Sequence, residues 1–508
     1  MTERRPRVVA VVGAGPVGCL AALSMAKFGC QVHVYEGRPD IRLPSSKASL
    51  QRRSVNIAIS SRGLAALEFV DPAVAARFLE TVIPMRGRVI HDTKGNVHVQ
   101  PYDRDGQCIN SIDRGLVNEG LLDEVSSHEG ITLHFQHKLV TADFDSRRLL
   151  LEDASSGVPR TVEVAFDLCI GADGSYSNVR RQMMRVVPMD YAQEYIPHEY
   201  LELRIPPGPG STDASPKFAL DPNGLHIWPR HSFMLIALPN KDASFTCTLF
   251  APPAEFAQLR DRESILVWFR RYFADAVELI GEEEVVHDLT QNPRSLLISI
   301  KANPYHYKDR VIILGDAAHS MVPFYGQGLN CGFEDVQVLS SLMTSHAIDG
   351  TVPLHPEKDP DWVDDNLAAV MREYSECRHE DLVAICDLAM QNYIEMRHSV
   401  TTRLFRARKL LDSWLSRAFP SPKAPSDSIN HSNPPIPNSG PAPHRSFPRG
   451  WLSLYTMVTF RPDIPYAVAK AKYEWQMMVL GRASWVLGNL TALGIAYGVY
   501  ISYRGRGQ

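Results

Sequence analysis

The 508-residue chain has no CxxC pair and no clustered histidines. Its eight cysteines (Cys19, Cys30, Cys108, Cys169, Cys247, Cys331, Cys377 and Cys386) stand far apart, which argues against a zinc site or a disulfide framework and for reduced thiols. Long runs of Lys or Arg are also missing, and a formal net charge of -4 is small for this length. Without a basic stripe to follow phosphates, a nucleic-acid partner is not expected. The N-terminus passes from MTERRPR directly into the apolar run Val8 to Val12, with no apolar h-region and small-residue cleavage site, so no secretory signal is expected.

What is present is a globular composition, 44% hydrophobic and 22% charged, long enough for two or three domains. The strand-like VVAVVG from Val8, a helical stretch from Pro16 to Phe28 and a second strand QVHVYE from Gln31 predict a βαβ start to a parallel sheet. Between them GAGPVG supplies Gly13 for a tight turn, Gly15 for close approach of a pyrophosphate and Gly18 for helix–strand packing, with Val17 in the first helical turn. Tyr35 and Glu36 end the second strand, where a carboxylate can accept the hydroxyls of an adenosine ribose.

From about residue 198 to 300 the pattern changes to short alternating runs (YLELRI, GLHIW, SFMLIAL, SFTCTLF), predicting a separate antiparallel sheet. VIILGDAAH from Val311 returns to the strand-then-glycine form, followed by a helix over 332–347, so the nucleotide-binding domain is discontinuous: 1–197 and 301–360 around 198–300. Helices fill 361–419. The stretch Pro420 to Pro448 contains nine prolines and reads as a surface insertion within a C-terminal region reaching 475. Ala483 to Tyr503 carries no charge over 21 residues and is flanked by Arg482, Arg504 and Arg506. As a helix it would span ~30 Å, which suits a membrane anchor over 476–508; the alternative is a buried C-terminal helix.

Two further motifs, CIGADGSYSNVRR from Cys169 with Asp173, and VIILGDAAHS with Gly315 and Asp316, each stand between a strand and a helix. With the glycine triplet they resemble the three fingerprints of the single-component FAD-dependent aromatic hydroxylases related to para-hydroxybenzoate hydroxylase. The resemblance implies an α/β fold: a Rossmann-type FAD-binding domain, an antiparallel-sheet substrate domain and C-terminal helices ending in a transmembrane helix. It also implies that Asp316 bonds the ribityl chain and that PFYGQGLNCGFED from Pro323 wraps the isoalloxazine. There Gly326 and Gly328 admit main chain against the ring, and Leu329 and Asn330 present helix N-terminal amides. His319 is expected to be a packed loop residue. No second glycine-rich unit is evident for NADPH, which in this family docks transiently near the Asp-Gly segment.

IPMRGRVIHD from Ile83, the pair Pro101-Tyr102, INSIDR ending at Arg114, RSVNIAIS from Arg53, LAMQNYIEMR from Leu388 and LYTMVTF from Leu454 resemble the kynurenine-hydroxylating branch of that family. This resemblance implies that Arg88 binds the amino-acid carboxylate of L-kynurenine as a bidentate pair, that Tyr102 and Asn392 add hydrogen bonds, and that Tyr455 completes the pocket. Arg38, Ala58, Arg114, Leu139 and Asp173 match positions that line FAD. The implied reaction is an NADPH- and O₂-dependent 3-hydroxylation through a C4a-hydroperoxyflavin, in tryptophan degradation and de novo NAD synthesis. The location implied is the mitochondrial outer membrane, with the catalytic domain in the cytosol. An aniline nitrogen already activates the ring, so no acid or base residue is assigned. A dry pocket is required, and Pro323, Phe324, Phe233 and Leu235 are candidates to close it. Two alternatives stand: a membrane-bound flavin monooxygenase of an apolar substrate, which Arg88 disfavours, and a non-catalytic binding protein on the same fold. The proline-rich segment separates Asn392 from Tyr455 by more chain than is usual in the family.

Overall fold

Four of the five residues in Val8–Val12 are buried, and an apolar run of this kind needs cover on both faces. In the computed structural model it lies at the centre of a six-stranded sheet. The order is Ile131–Phe135, Gln31–Glu36, Val8–Val12, Leu168–Gly171, Val311–Ile313 and His306–Tyr307. The first five strands are parallel and the last closes the edge antiparallel. The structure describes residues 3–46, 56–103, 105–212, 215–354, 362–398, 400, 402–422, 447–482 and 484–485. Helix Pro16–Lys27 follows the central strand, and helix Gly328–Ser345 packs on it closely enough that a Cβ at Gly332 would fall 2.6 Å from a Val17 methyl. The second helix starts four residues before the expected 332, because the glycines of the preceding loop run directly into its first turn.

The second layer is a seven-stranded sheet in the order Ser295–Asn303, Asp190–Ile205, Phe245–Ala251, Phe233–Pro239, Gly224–Arg230, Gly87–His91 and Val97–Pro101. Its composition corrects the expected boundary at 198. Two of its strands come from within 1–197, one begins at Asp190, and Gly87–His91 pairs parallel with Gly224–Arg230, so the sheet is mixed rather than antiparallel. The alternating runs reveal strands but not their partners, and a parallel partner from 137 positions upstream leaves no local turn signal.

Period-2 alternation divides this sheet's residues between two cores. Phe233, Leu235 and Ala237 face a cluster with Trp268, Phe269 and Phe273 from the helices at 262–280. Ile236 and Leu238, one step out of phase, pack with Tyr102 and Tyr455. The expectation that Phe233 and Leu235 line the substrate pocket is therefore out by one residue in register. Helix Asp365–Arg397 crosses behind both layers, followed by Arg403–Ala418 and, after the proline-rich stretch, Leu454–Phe460 and a helix over 466–482. Most of the proline-rich insertion, residues 423–446, lies outside the described residues. So does almost all of the uncharged stretch after 482. Among the described residues no helix is long and apolar enough to cross a membrane.

Candidate active site

Gly13 and Gly18 are required by close packing. A Cβ on Gly13, whose φ is +104°, would lie 2.4 Å from the Ala172 carbonyl oxygen, and one on Gly18 would lie 2.0 Å from that of Gly13. Gly15 differs, since its Cβ would meet nothing within 4 Å. The space in front of Gly15 adjoins the start of helix Pro16–Lys27, where the first helical bond is Cys19 N–H to the Gly15 carbonyl, so the amides of Val17 and Gly18 remain free for an anion.

Tyr35 is buried and stacked on His134, with ring centroids 4.8 Å apart. The Glu36 carboxylate accepts from Ala14 N–H (3.0 Å), Arg38 N–H (2.9 Å) and Arg38 Nε (2.8 Å). Burial raises its pKa, but the bonds from Arg38 outweigh this and hold it below the ordinary value. Arg38 is otherwise exposed, so its side chain can yield to a ribose hydroxyl.

Of the other residues expected to line FAD, Asp173 and Gly315 stand against the glycine turn, Asp173 beside Gly13 and Gly315 beside Val17. Asp173 Oδ2 accepts the amides of Asn178 (2.6 Å) and Val179 (3.1 Å), while its Oδ1 is buried with no hydrogen-bond partner among the described residues. Burial pushes this carboxyl above the ordinary range. An unsatisfied buried carboxylate oxygen beside the glycine turn fits a ligand that brings its own donor, as the hydroxyls of a flavin's ribityl chain or ribose do. The Leu139 carbonyl accepts from Asn178 Nδ2 (2.6 Å) and Leu139 itself is buried. Gly315 adopts φ +58° against Val17, and half-exposed Asp316 opens the short helix after it. Arg114 stands exposed at the first position of helix Arg114–Ser127.

The segment after Pro323 is a single 3-10 turn, Pro323–Tyr325, then Gly326 in the left-handed region (φ +64°) and the start of the long helix. The Asn330 side chain, fully buried, ties it down. Its Nδ2 donates to the carbonyls of Gly326 (2.6 Å) and Ala58 (2.9 Å), and its Oδ1 accepts from Ser60 N–H (2.9 Å). The first helical bond is Cys331 N–H to the Gln327 carbonyl, which leaves the amides of Gly328, Leu329 and Asn330 unused at a helix N-terminus. These residues fit a flavin ring whose pyrimidine edge needs donors and whose reduced form is anionic.

Arg88, Tyr102, Asn392 and Tyr455 are brought together although 367 positions separate the first from the last. Tyr102 and Tyr455 stack with ring centroids 4.7 Å apart and an interplanar angle of 9°, and the Arg88 guanidinium lies 5.4 Å from the Tyr455 ring centroid. The proline-rich insertion does not displace Tyr455 from the pocket. Arg88 is buried and not free: it donates to Asn392 Oδ1 (3.1 Å) and to Glu395 Oε1 (2.8 Å). Asn392 spends its amide on the Phe324 carbonyl (2.6 Å), so here it positions Arg88 and the flavin-side loop. Glu395 was not singled out by the sequence, although its place one helical turn after Asn392 is a usable signal. Lys409 was also missed. Burial first, then the charge of Arg88, pushes its ammonium down to about 8.

His319 is buried and bonded through Nε2 to Asp335 Oδ2 (2.5 Å). His319, Cys331 and Asp335 lie close enough to hold a metal ion, but Arg378 already supplies the positive charge, donating to Asp335 Oδ1 (2.7 Å) and Cys331 Sγ (3.6 Å).

Residues 7–351 match the family model described as an FAD binding domain. Kynurenine 3-monooxygenase of Cryptococcus neoformans var. neoformans serotype D (strain B-3501A) is 44% identical, covering 98% of this chain and 97% of that protein. The chain belongs to the kynurenine 3-monooxygenase family. The relative from Yarrowia lipolytica is 41% identical over 98% of both chains, and that of Anopheles gambiae 40% identical over 94% of this chain and 87% of its own. Solved structures similar in fold include the tetrameric form of 2-methyl-3-hydroxypyridine-5-carboxylic acid oxygenase (TM-score 0.56, 18% identity, 81% of this chain and 96% of that one). Klebsiella pneumoniae HpxO complexed with FAD and uric acid is another (TM-score 0.57, 20% identity, 80% and 92%). The kynurenine 3-monooxygenase family thus carries the FAD-dependent aromatic hydroxylase fold in this chain, from the glycine turn to the helices behind the pocket.

Proposed function

We propose that the protein is an FAD-dependent monooxygenase that hydroxylates L-kynurenine to 3-hydroxy-L-kynurenine with NADPH and O₂. The observation that carries the substrate assignment is the buried Arg88 beside stacked Tyr102 and Tyr455. A buried guanidinium facing two phenols suits an aromatic amino acid, because the carboxylate gains a charge-assisted bond and the ring a flat wall. FAD, when bound, supplies the redox and oxygen-transfer chemistry.

The chain's own residues bind, orient and exclude water. Arg88 takes the carboxylate, with Glu395 yielding its place or turning to the substrate's ammonium group. Asn392 fixes Arg88 relative to the Phe324 carbonyl, so the substrate and flavin-side loops share one reference point. Phe324, stacked on Tyr393 with centroids 4.1 Å apart and edge-on to Phe250 at 4.8 Å, walls the pocket with apolar surface, the role for which Pro323, Phe233 and Leu235 were also candidates. NADPH visits the groove by Asp173 and Gly174 without a Rossmann unit of its own.

Membrane attachment through residues 476–508 and residence in the outer mitochondrial membrane, with the catalytic domain in the cytosol, complete the reading. The uncharged stretch Ala483 to Tyr503 supports the attachment. So do exposed apolar faces on the helices before it: Leu410, Leu411 and Trp414 on one, and Trp475, Met478 and Val479 on the other. The deciding experiment is NADPH oxidation by the detergent-purified yellow protein with and without L-kynurenine, with the product identified by mass. Oxidation that ignores L-kynurenine while FAD remains bound would remove the substrate assignment and favour an apolar substrate.

A further inference from the structure

The helix that carries Tyr455, Leu454–Phe460, is only seven residues long. A helix of two turns is not stable by itself, and its last carbonyls have no partner within it. Ser453 caps its start, accepting from Thr456 N–H (3.1 Å). At its other end the partner is Arg62, which comes from a different part of the chain. Arg62 is 1% exposed and donates to the carbonyls of Val458 (3.4 Å), Arg461 (3.1 Å) and Ile464 (2.8 Å). Its guanidinium also lies 4.1 Å from the ring centroid of Tyr466, whose hydroxyl donates to Gln327 Oε1 (3.1 Å) at the cap of the flavin-side helix.

The charge of Arg62 is balanced from the flavin side. Its Nη1 bonds Glu334, whose other oxygen accepts from Arg378 Nη1 (2.9 Å). Glu334 stands on helix Gly328–Ser345, Arg378 on helix Asp365–Arg397 with Asn392, and Arg62 on helix Ser61–Val70. That last helix abuts the flavin-side loop so tightly that a Cβ at Gly63 would lie 2.3 Å from Asn330 Oδ1. One buried chain of charges therefore joins the elements bearing Asn330, Asn392 and Tyr455.

We propose that Arg62 is a positioning residue: by capping the C-terminal end of Leu454–Phe460 it seats Tyr455 on Tyr102 beside Arg88, and so sets how tightly substrate is held and how fully oxygen transfer is coupled to NADPH consumption. It touches neither substrate nor flavin. The inference rests on the reading of this pocket as the L-kynurenine site, and its test includes a measurement that does not.

Arg62→Lys keeps a cation opposite Glu334, whereas Arg62→Met leaves Glu334 to share Arg378 with Asp335, so the milder variant separates loss of the cap from loss of charge balance. Hydrogen–deuterium exchange at residues 454–466 is expected to quicken by about tenfold or more in Arg62→Met, the equivalent of losing one charge-assisted bond. Amides of Val8–Val12 should keep their rates. In turnover, KM for L-kynurenine is expected to rise by about tenfold with kcat changed less, and the share of NADPH diverted to H₂O₂ to increase. Arg62→Lys should recover part of both. If Arg62 acts through Tyr455, then Arg62→Lys/Tyr455→Ala will have the KM of Tyr455→Ala alone, whereas multiplied effects overturn the proposal. Unchanged exchange at 454–466 overturns it regardless of substrate. A wild-type enzyme indifferent to L-kynurenine would instead remove the substrate assignment, leaving exchange to decide the role of Arg62.

Discussion

At the scale of single residues, the pocket is organised around a guanidinium that already has two partners. Replacing Arg88 with Met removes charge-assisted bonds of about 1.5–3 kcal/mol each, so KM for L-kynurenine is expected to rise roughly ten- to hundredfold, read from initial rates of NADPH oxidation. Lys409 adds a pH dependence. Its ammonium is pushed down to about 8 by burial and by Arg88, so it is charged below that pH and neutral above it. Binding of a carboxylate should weaken as pH rises through about 8, and Lys409→Met should flatten the KM–pH profile in that range. Arg88, Tyr102, Asn392 and Tyr455 were legible only through motif resemblance, since nothing local joins residues hundreds of positions apart. Glu395 was legible only by its place one turn after Asn392, and Lys409 not at all, because a charged residue on an amphipathic helix looks the same whether it faces solvent or a buried guanidinium. Phe233 and Leu235 illustrate a different loss: alternation fixes which residues share a face, but not which face meets the pocket.

At the scale of elements, the glycine turn separates folding from binding. A methyl at Gly15 meets nothing in the protein, whereas at Gly18 it collides with backbone. Gly15→Ala is expected to leave the melting temperature of the apoprotein unchanged while weakening FAD, measured by flavin fluorescence on titration. Gly18→Ala should lower the melting temperature itself, by the equivalent of about 1–3 kcal/mol. The substrate sheet has its own pH sensitivity. Burial holds His226 down to about 4, below its ordinary 6.5. The neutral folded form is favoured above pH 6.5, and that contribution is lost as pH falls towards and through 4, so thermal stability should decline across that window and His226→Gln should decline less. Four of the five parallel strands were readable because each runs into a glycine turn, whereas Ile131–Phe135, which ends without one, was not. The start of helix Gly328–Ser345 was placed late because Gly328, Asn330 and Cys331 in its first turn have low helix propensity, and Asn330 ties the turn down instead.

At the scale of the whole molecule, deletion of residues 483–508 is expected to move the enzyme from the membrane to the soluble fraction with L-kynurenine-stimulated NADPH oxidation of the same order, checked by fractionation and assay. Unchanged partitioning on deletion would remove the proposed anchor, and loss of activity would mean that the segment supports the catalytic body. The general plan, a dinucleotide domain interrupted by a sheet and followed by helices, was visible in the order of motifs. The shared sheet was not, because strand partnership across 137 positions is decided by packing.

The parallel pairing of Gly87–His91 with Gly224–Arg230 bears on how specificity can change in this architecture. The strand that carries Arg88 belongs by chain order to one layer and by hydrogen bonding to the other. A substrate layer transplanted from another hydroxylase as a contiguous cassette would arrive without that strand and would inherit the host's Arg88. Engineered chimeras therefore need crossovers on both sides of residues 83–114 to carry Arg88 together with its sheet partners.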